Sequence, residues 1–573
     1  MLKNWQYRNN GNDKERIKDI SEELGVYPSL VELMLNRGIE TSSEMQAYLY
    51  PDLRRDLATF SKYPGLSEVV EILSDSLSKG KRIAIWGDYD VDGITGTALL
   101  NDFLRQRGYS QQPVRNYFPD RFKEGYGLSL EGMKFLIKDD IDTLVTVDCG
   151  ISNHQEVAFA KENGMTVLVT DHHEPDKASD LPEADAIFNP RISECPCPDL
   201  AGVGVAFYVA AALNKKLPGN SIPMHFLLDL VALGTIADIV PLVGTNRVLT
   251  RFGLDYLSKG VRPGIFAMKE VNGLGGQSAI NPGQVSFRLA PMINAAGRLS
   301  DPYIAFKCLL AKDHKEVQES AKALQSLNQK RKTIEEKHLE EALTQAKQQE
   351  NDLGIIVYSS EWHEGVIGIV ASKIVETYYR PVLILTKGES GDFKGSARSI
   401  PEVDIHQALT DCRESLVGFG GHKQAAGLQV KEENIPWLKE LFCEAIKKQI
   451  GPDLKRPTQK IDGTINAREL SLDFVNQLDL LQPCGMGNPG PVFQTEPLNV
   501  HEKRPLGKDG LHILVKAKSE EGVSVSCKGW HLKNAMSEVS LGNQISFVCV
   551  PKVNEWQGNK NVELDIKDFR KES

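Results

Sequence analysis

The sequence predicts an α/β protein: a doubly wound parallel sheet, joined by a long helix to a second α/β domain, with a C-terminal all-β barrel or sandwich. Three observations predict it. Short apolar runs alternate with helix-like segments from Lys81 to Thr170. A stretch without Gly or Pro runs from Tyr303 to Leu353. Short β-rich runs between Gly- and Asn-bearing turns fill the chain after residue 450. A length of 573 residues exceeds what one hydrophobic core serves. The expected division is 1–65, an N-terminal segment; 66–300, the parallel-sheet domain; 301–352, the connecting helix; 353–450, the second α/β domain; and 451–573, the barrel.

Each element has its own justification. Arg82-Ile83-Ala84-Ile85-Trp86 is a short apolar run followed by a Gly/Asp loop and helix-like Thr97–Gln106. Asp142–Val147 and Thr166–Thr170 repeat the pattern, and alternating strands and helices imply a parallel sheet. In the Gly- and Pro-free stretch, Val317, Ala321, Leu324, Ile334, His338, Ala342 and Ala346 recur at helical spacing. One helix of some forty residues would reach roughly 60 Å; the alternative is two helices with a polar turn near Gln325–Lys330. Gly354–Tyr358 and Pro381–Leu385 read as strands of the second α/β domain, and His512–Val515 and Gln544–Val550 as strands of a small antiparallel barrel or sandwich.

Composition narrows the function classes. No run of about 18 apolar residues is present, so no membrane partner is expected. The N-terminus lacks the apolar core of a signal peptide, and nine scattered cysteines do not suggest a disulfide framework. A cytoplasmic location is expected. The net charge is −10, but residues 451–573 carry equal numbers of acidic and basic side chains, so the acidic excess lies in the first 450 residues. Local clusters of Lys and Arg can still hold a nucleic acid.

The strongest chemical signal is Gly87-Asp88-Tyr89-Asp90-Val91-Asp92-Gly93, directly after the first strand. Three carboxylates at alternating positions call for a hard cation such as Mg²⁺, Mn²⁺ or Ca²⁺. An EF-hand is excluded because Leu99 stands where the bidentate Glu belongs and a strand precedes the loop. Asp148 follows the second strand and Asp171-His172-His173 the third. Ligands gather outside the carboxyl ends of parallel strands, so these groups are expected in one crevice. Asp238 lies in an apolar run and is expected to be buried, as a metal ligand, a helix cap or a salt-bridge partner. Mixed Asp and His donors around two ions suit Mn²⁺ or Mg²⁺ and phosphodiester hydrolysis. No G-x-x-x-x-G-K-[ST] loop is present, which excludes the common ATPase site.

The set Asp88–Gly93, Val147–Gly150, Asp171–His173 and Ala237-Asp238 resembles the four motifs of the DHH phosphoesterases. The resemblance implies Asp90, Asp92, Asp148, His172 and Asp238 as metal ligands. It gives catalytic roles to Asp148, bridging the ions, and to His173 beside the scissile phosphate; Asp88 joins this group. Asn294–Arg298, Trp362–Ala371, Gly395–Ser399 and Gly420–Gly427 narrow the likeness to the RecJ family, whose second domain is of the DHHA1 type and whose barrel is an OB-fold. On that basis Arg121, Tyr126, Asn294, Arg298, Ser396, Arg398, Gly420, Gly421 and His422 are expected to bind substrate. Trp530 and Trp556 are stacking candidates on the barrel, or else core residues, with Lys503, Arg504, Lys508, His512 and Lys516 as basic companions. Met292, Lys373 and Cys484 depart from the family pattern.

The resemblance implies a 5′→3′ exonuclease of recombination and repair that acts on single-stranded DNA and releases 5′-mononucleotides. It also implies a single-strand-binding protein and a helicase as partners. The alternative is a DHH phosphodiesterase of short oligonucleotides or cyclic dinucleotides, which would need neither barrel nor long helix.

Overall fold

The computed structural model describes all residues except 1–2, 9–12, 110–113, 176–179, 193, 278, 389–390, 508–509, 557 and 573, together with the side chain of Trp556. Its first sheet contains β1 (Ile83–Gly87), β2 (Val114–Tyr117), β3 (Thr143–Val147), β4 (Thr166–Thr170) and β5 (Ala186–Phe188). The spatial order is β2-β1-β3-β4-β5 and every pairing is parallel. All residues of β1 and β3 are buried, as central strands covered on both faces must be. One face packs on α1 (Val91–Leu104) and α2 (Gly202–Lys216). The other packs on the helices Leu130–Lys138 and His154–Glu162, with Trp86 stacked on Tyr117. The chain moves from β1 to one side for β2 and to the other for β3. That reversal opens a crevice at the carboxyl ends of β1 and β3.

Three further helices close this domain around the crevice: α3 (Leu228–Ala237), α4 (Ala290–Leu299) and α5 (Tyr303–Leu310). Beneath them Arg262 is buried between two carboxylates. Its guanidinium donates to Asp102 at 2.9 Å and to both oxygens of Asp229 at 2.9 and 3.2 Å.

The long connection is mostly one helix, as expected, with a break near its start. It breaks at Ala311, whose backbone is extended, and restarts as α6 (His314–Lys347). Asp313 causes the restart by accepting from the N–H groups of Lys315 and Glu316, the favoured geometry of a helix N-cap. No turn interrupts Gln325–Lys330. At 34 residues, α6 extends about 51 Å. Val317, Ala321 and Leu324 enter the core of the first domain, and Ala342 and Ala346 the core of the second.

The second domain has a mixed sheet of β6 (Ile355–Tyr358), β7 (Val382–Lys387), β8 (Phe393–Arg398), β9 (Gly418–His422) and β10 (Ala425–Val430), ordered β9-β10-β8-β7-β6. Helix α7 (Glu364–Tyr378) packs between this sheet and α6. The C-terminal sheet is β11 (Gly463–Ile465), β12 (Phe493–Thr495), β13 (Leu498–Leu506), β14 (His512–Lys518), β15 (Ser524–Gly529), β16 (Gln544–Trp556) and β17 (Asn559–Lys571). Pairing of β16 with both β12 and β17, and of β15 with β17, curls it into a barrel.

The first fifty residues do not stand apart. Asn4–Tyr7 pairs with Thr458–Ile461, and Leu30, Met34 and Leu49 share a core with Phe474, Leu481 and Phe493 of the C-terminal domain. Among the described residues no helix is long and apolar enough to cross a membrane.

Arg262→Ala leaves Asp102 and Asp229 buried with reduced compensation. The expected cost is about 3–5 kcal/mol, read as a lower unfolding midpoint of the parallel-sheet domain; an unchanged midpoint refutes the role given to this triad.

Candidate metal centre and substrate cleft

The crevice collects side chains from every strand end that borders it. Asp88 and Asp90 follow β1. The Asp90 carboxylate caps α1 by accepting from the N–H groups of Asp92 at 2.8 Å and Gly93 at 3.2 Å. This turn is tight: a Cβ on Gly93 would stand 2.4 Å from the Asp88 carbonyl oxygen. Asp92 is buried in the first turn of α1 and accepts from the N–H groups of Gly202 at 2.6 Å and Val203 at 2.9 Å. The N-terminus of α2 thus neutralises part of its charge. Asp148 follows β3 with φ +64°, a left-handed backbone uncommon outside Gly. Asp238 ends α3 and is half-buried rather than buried, its side chain open to the crevice.

These groups meet. One set of potential ligand atoms comes from Asp88, Asp90 and Asp148, and a second from Asp92, His172 and Asp238; within each set all atoms lie within 4.8 Å of one another. His172 Nε2 is 3.0 Å from Asp148, 3.6 Å from Asp238 and 3.7 Å from Asp92, so Asp148 stands between the two sets. Asp88 belongs by position with the ligand atoms of the first set.

The electrostatics fit divalent cations. Burial and then mutual repulsion push the carboxyls up, Asp92 to about 7, Asp238 to about 9, and Asp88 and Asp148 well above the usual range. Burial holds His172 down to about 3, leaving a neutral imidazole with a free lone pair. Asp88 Oδ1, Asp148 Oδ1 and both ring nitrogens of His172 are buried without a hydrogen-bond partner. Orphaned acceptors converging on two points, in a pocket where the carboxyls cannot all ionise unaided, are what a pair of hard cations satisfies.

Asp171, to which the sequence reading gave no role, organises the histidine pair. It is fully buried, and accepts from the N–H groups of Ile151, His172 and His173 and from His173 Nδ1 at 2.8 Å. Burial alone would raise this carboxyl, but the His173 hydrogen bond and charge hold it near 2. Burial would likewise lower His173, yet Asp171 and the surrounding carboxylates raise it to about 9. Tyr126, expected on the substrate path, stands beside His173: its hydroxyl is 2.9 Å from Nδ1 and donates to the Asp148 carbonyl at 3.2 Å. The only signal for Asp171 was its place before two histidines.

Tyr89 connects the crevice to a cleft of about 360 Å³ between the two α/β domains. The Arg121 guanidinium lies over the Tyr89 ring, 5.0 Å from its centre. Arg298 donates to the Gly365 carbonyl at 3.1 Å, and Arg398 to Ser396 Oγ at 2.9 Å. Burial, then Arg121, Arg331 and Arg398, lowers Arg298 to about 10; burial and Arg121 lower Arg398 as well. No carboxylate forms an ion pair with Arg298 or Arg398 among the described residues. Crowded guanidiniums without counter-ions make an anion site. Gly421 also lines the cleft. Gly420 and His422 lie exposed on β9, the edge strand, and Asn294 lies one turn before Arg298 on α4.

On the barrel, Trp530 is 50% exposed and meets His512 edge-on, so it is not a core residue. The side chain of Trp556, and Lys508, lie outside the described residues. Lys503 is tied to the carbonyls of Met536 and Val539, and Lys516 pairs with Glu502. Of the three departures, Met292 is buried in the first core, Lys373 pairs with Glu335, and Cys484 is half-buried.

Comparison with known proteins agrees with this geometry. Residues 82–235 match the DHH family N-terminal domain, 351–448 the DHHA1 domain and 461–568 the RecJ OB domain. The single-stranded-DNA-specific exonuclease RecJ of Salmonella typhimurium is 35% identical over 95% of this chain and 96% of its own length. The chain belongs to the RecJ family. RecJ of Bacillus subtilis is 34% identical over 97% of this chain and 70% of its own length. The crystal structure of Thermus thermophilus RecJ in complex with Mn²⁺ superposes with a TM-score of 0.84 at 31% identity, covering all of this chain and 80% of that one. RecJ membership and the fold together bear out the α/β and barrel architecture expected from sequence.

In the metal-free protein His173 is expected to titrate near 9, hence to stay protonated through neutral pH. Asp171→Asn removes the main raising interaction, so its midpoint falls; an NMR titration in which the variant keeps the wild-type midpoint refutes the pairing.

Proposed function

We propose that this RecJ-family chain is a metal-dependent exonuclease that digests single-stranded DNA from a 5′ end and releases 5′-mononucleotides. The observation that carries the proposal is the pair of adjoining ligand sets with Asp148 between them and acceptors left without partners, set beside an arginine cleft that has no ion-paired carboxylate among the described residues. Asp90, Asp92, Asp148, His172 and Asp238 hold two ions, Mn²⁺ or Mg²⁺, and Asp88 completes the first set. When bound, the ions supply Lewis-acid stabilisation of phosphate charge and lower the pKa of an attacking water.

The remaining roles belong to side chains. Asp92, fixed by the N-terminus of α2, and Asp148, fixed by its strand end, set the ligand positions in advance. His173 is held through Nδ1 by Asp171, which leaves Nε2 to donate a hydrogen bond or proton to a phosphate oxygen. Arg298, Arg398 and Arg121, with Ser396, take the charge of a terminal phosphate, and the nearby Gly365 and Gly421 allow close backbone approach. Asn294 and Tyr126 border the same path. Gly420 and His422 on the sheet edge, and Trp530 and Trp556 on the barrel, extend it for a longer strand. A cytoplasmic location in a bacterial cell, and a single-strand-binding protein and a helicase as partners, belong to the same proposal. So does the division of labour among 66–300, 353–450 and 451–573.

An end-labelled single strand incubated with Mn²⁺, Mg²⁺ or chelator tests the reading. Asp148→Ala is expected to abolish release of mononucleotides while strand binding persists; metal-dependent turnover in that variant removes the mechanism. A dinucleotide cleaved faster than a long strand would favour the short-substrate alternative. Arg298→Ala is expected to weaken 5′-phosphorylated strands by about 10–100-fold relative to 5′-hydroxyl strands, measured as kcat/KM. Equal losses on both would refute its assignment to the terminal phosphate.

A further inference from the structure

Beside the metal centre lies an exposed apolar feature that the chain's own packing does not explain. Asp238 is the C-cap of helix α3, and the chain reverses through Ile239 at φ +62°. A left-handed residue after a helix is ordinarily Gly, because a Cβ there crowds the following carbonyl oxygen. A β-branched side chain is the least suited to it. Burial would offset the strain, but Ile239 is 64% exposed. Strain kept without a packing gain points to a contact made outside the chain.

Two other exposed apolar side chains share this junction. Val243 is 41% exposed in the same loop, and Met486 is 56% exposed on a turn of the C-terminal domain. The Leu242 N–H donates to the Met486 carbonyl at 2.7 Å. Glycines on either side of Met486 permit that approach: a Cβ on Gly485 would stand 2.8 Å from the Leu242 side chain, and one on Gly487 2.9 Å from Pro241. The turn is therefore docked on the loop that leaves Asp238.

Consecutive Cα atoms lie about 3.8 Å apart, so Ile239 adjoins a group placed here among the metal ligands. A strand whose phosphate sits at the centre passes beside it. The phosphates would be served by cations and arginines; an uncharged aliphatic surface suits the apolar face of a base, the largest uncharged surface a nucleotide offers. Such faces are accessible in a single strand, and contact with them tolerates any sequence.

We propose that Ile239, Val243 and Met486 form an apolar shelf that seats a nucleobase of the single strand next to the scissile phosphate. The proposal rests on the nuclease reading above.

Single strands carrying one abasic site at successive positions from the 5′ end test it. The native protein is expected to show a KM raised about 5–10-fold when the missing base falls at one or two positions near the cleaved bond. Ile239→Gly and Met486→Ala should raise KM on the intact strand by a similar factor and flatten that positional profile. The melting temperature of Ile239→Gly should equal or exceed the native value, because the strain is gone. An abasic profile in Ile239→Gly identical to the native one overturns the shelf. So does a loss confined to kcat, which would make Ile239 a cap acting through Asp238. A native protein that leaves all single strands intact is a separate result, and fails the nuclease reading itself.

Discussion

Crowding of buried negative charge is the constraint on which the rest of this structure depends. Asp88, Asp92, Asp148 and Asp238 crowd into one crevice beside Asp90, and burial drives those four to protonate. The fold answers with partial positive charge fixed in the backbone. The N-terminus of α2 meets Asp92, the first turn of α1 meets Asp90, and peptide N–H groups surround Asp171. None of these dipoles reaches the outward oxygens of Asp88 and Asp148, which stay without partners. That asymmetry fixes where cations must enter. It also explains why parallel strands are required: only they deliver several turns and helix N-termini to one end of a sheet.

A second constraint is alignment, since Arg398 and Ser396 sit on the second domain while Arg121, Arg298 and the carboxylates sit on the first. Helix α6 spans both, and its fully buried residues are apolar or small at its two ends and polar in its middle. Its middle presents Asn328, Arg331, Glu335 and His338. Arg331 pairs with Glu335, Lys373 of α7 pairs with the same Glu335, and His338 Nε2 accepts the His363 N–H at 3.0 Å. A buried polar seam has fewer acceptable registers than an apolar one, because a shifted partner leaves a charge unsatisfied. The seam therefore fixes the rotation of α6 against α7, and with it the distance from Arg398 to Arg298.

Much of this was legible in the sequence, and the limits follow from physics. The parallel sheet was readable because β1, β3 and β4 are short apolar runs each ended by an acidic turn. The acidic cluster was readable because Asp88, Asp90 and Asp92 repeat at alternating positions around Tyr89 and Val91, directly after a strand. Asp171 was not, since nothing local separates a carboxylate that binds a cation from one that orients a histidine. The break at Ala311 was missed because Lys312-Asp313 interrupts no hydrophobic period; only the Asp313 cap shows that a new helix begins. The merger of residues 4–49 with the barrel domain was invisible, because a core shared by Leu30 and Phe474 is encoded more than four hundred residues apart. Lys503 and Lys516 looked like free cations, and only folding showed them tied to carbonyls and to Glu502.

The barrel, too, must be held at a fixed place if a strand is to pass from it to the metal centre, and one arginine from the first domain does much of this. Arg247 is buried, its guanidinium 3.7 Å from the centre of the Tyr48 ring. It donates to the carbonyls of Tyr48, Leu480 and Gln482, so it binds the N-terminal segment and the barrel domain to the metal-holding domain at once. Its partners are neutral oxygens and a π face, so burial lowers its pKa without any carboxylate to restore it. A carboxylate there would have formed a closed pair, satisfied within one domain. Three carbonyls from two other segments are satisfied only when all three pieces are in place, which makes the junction beside Asp238 a property of the assembled chain.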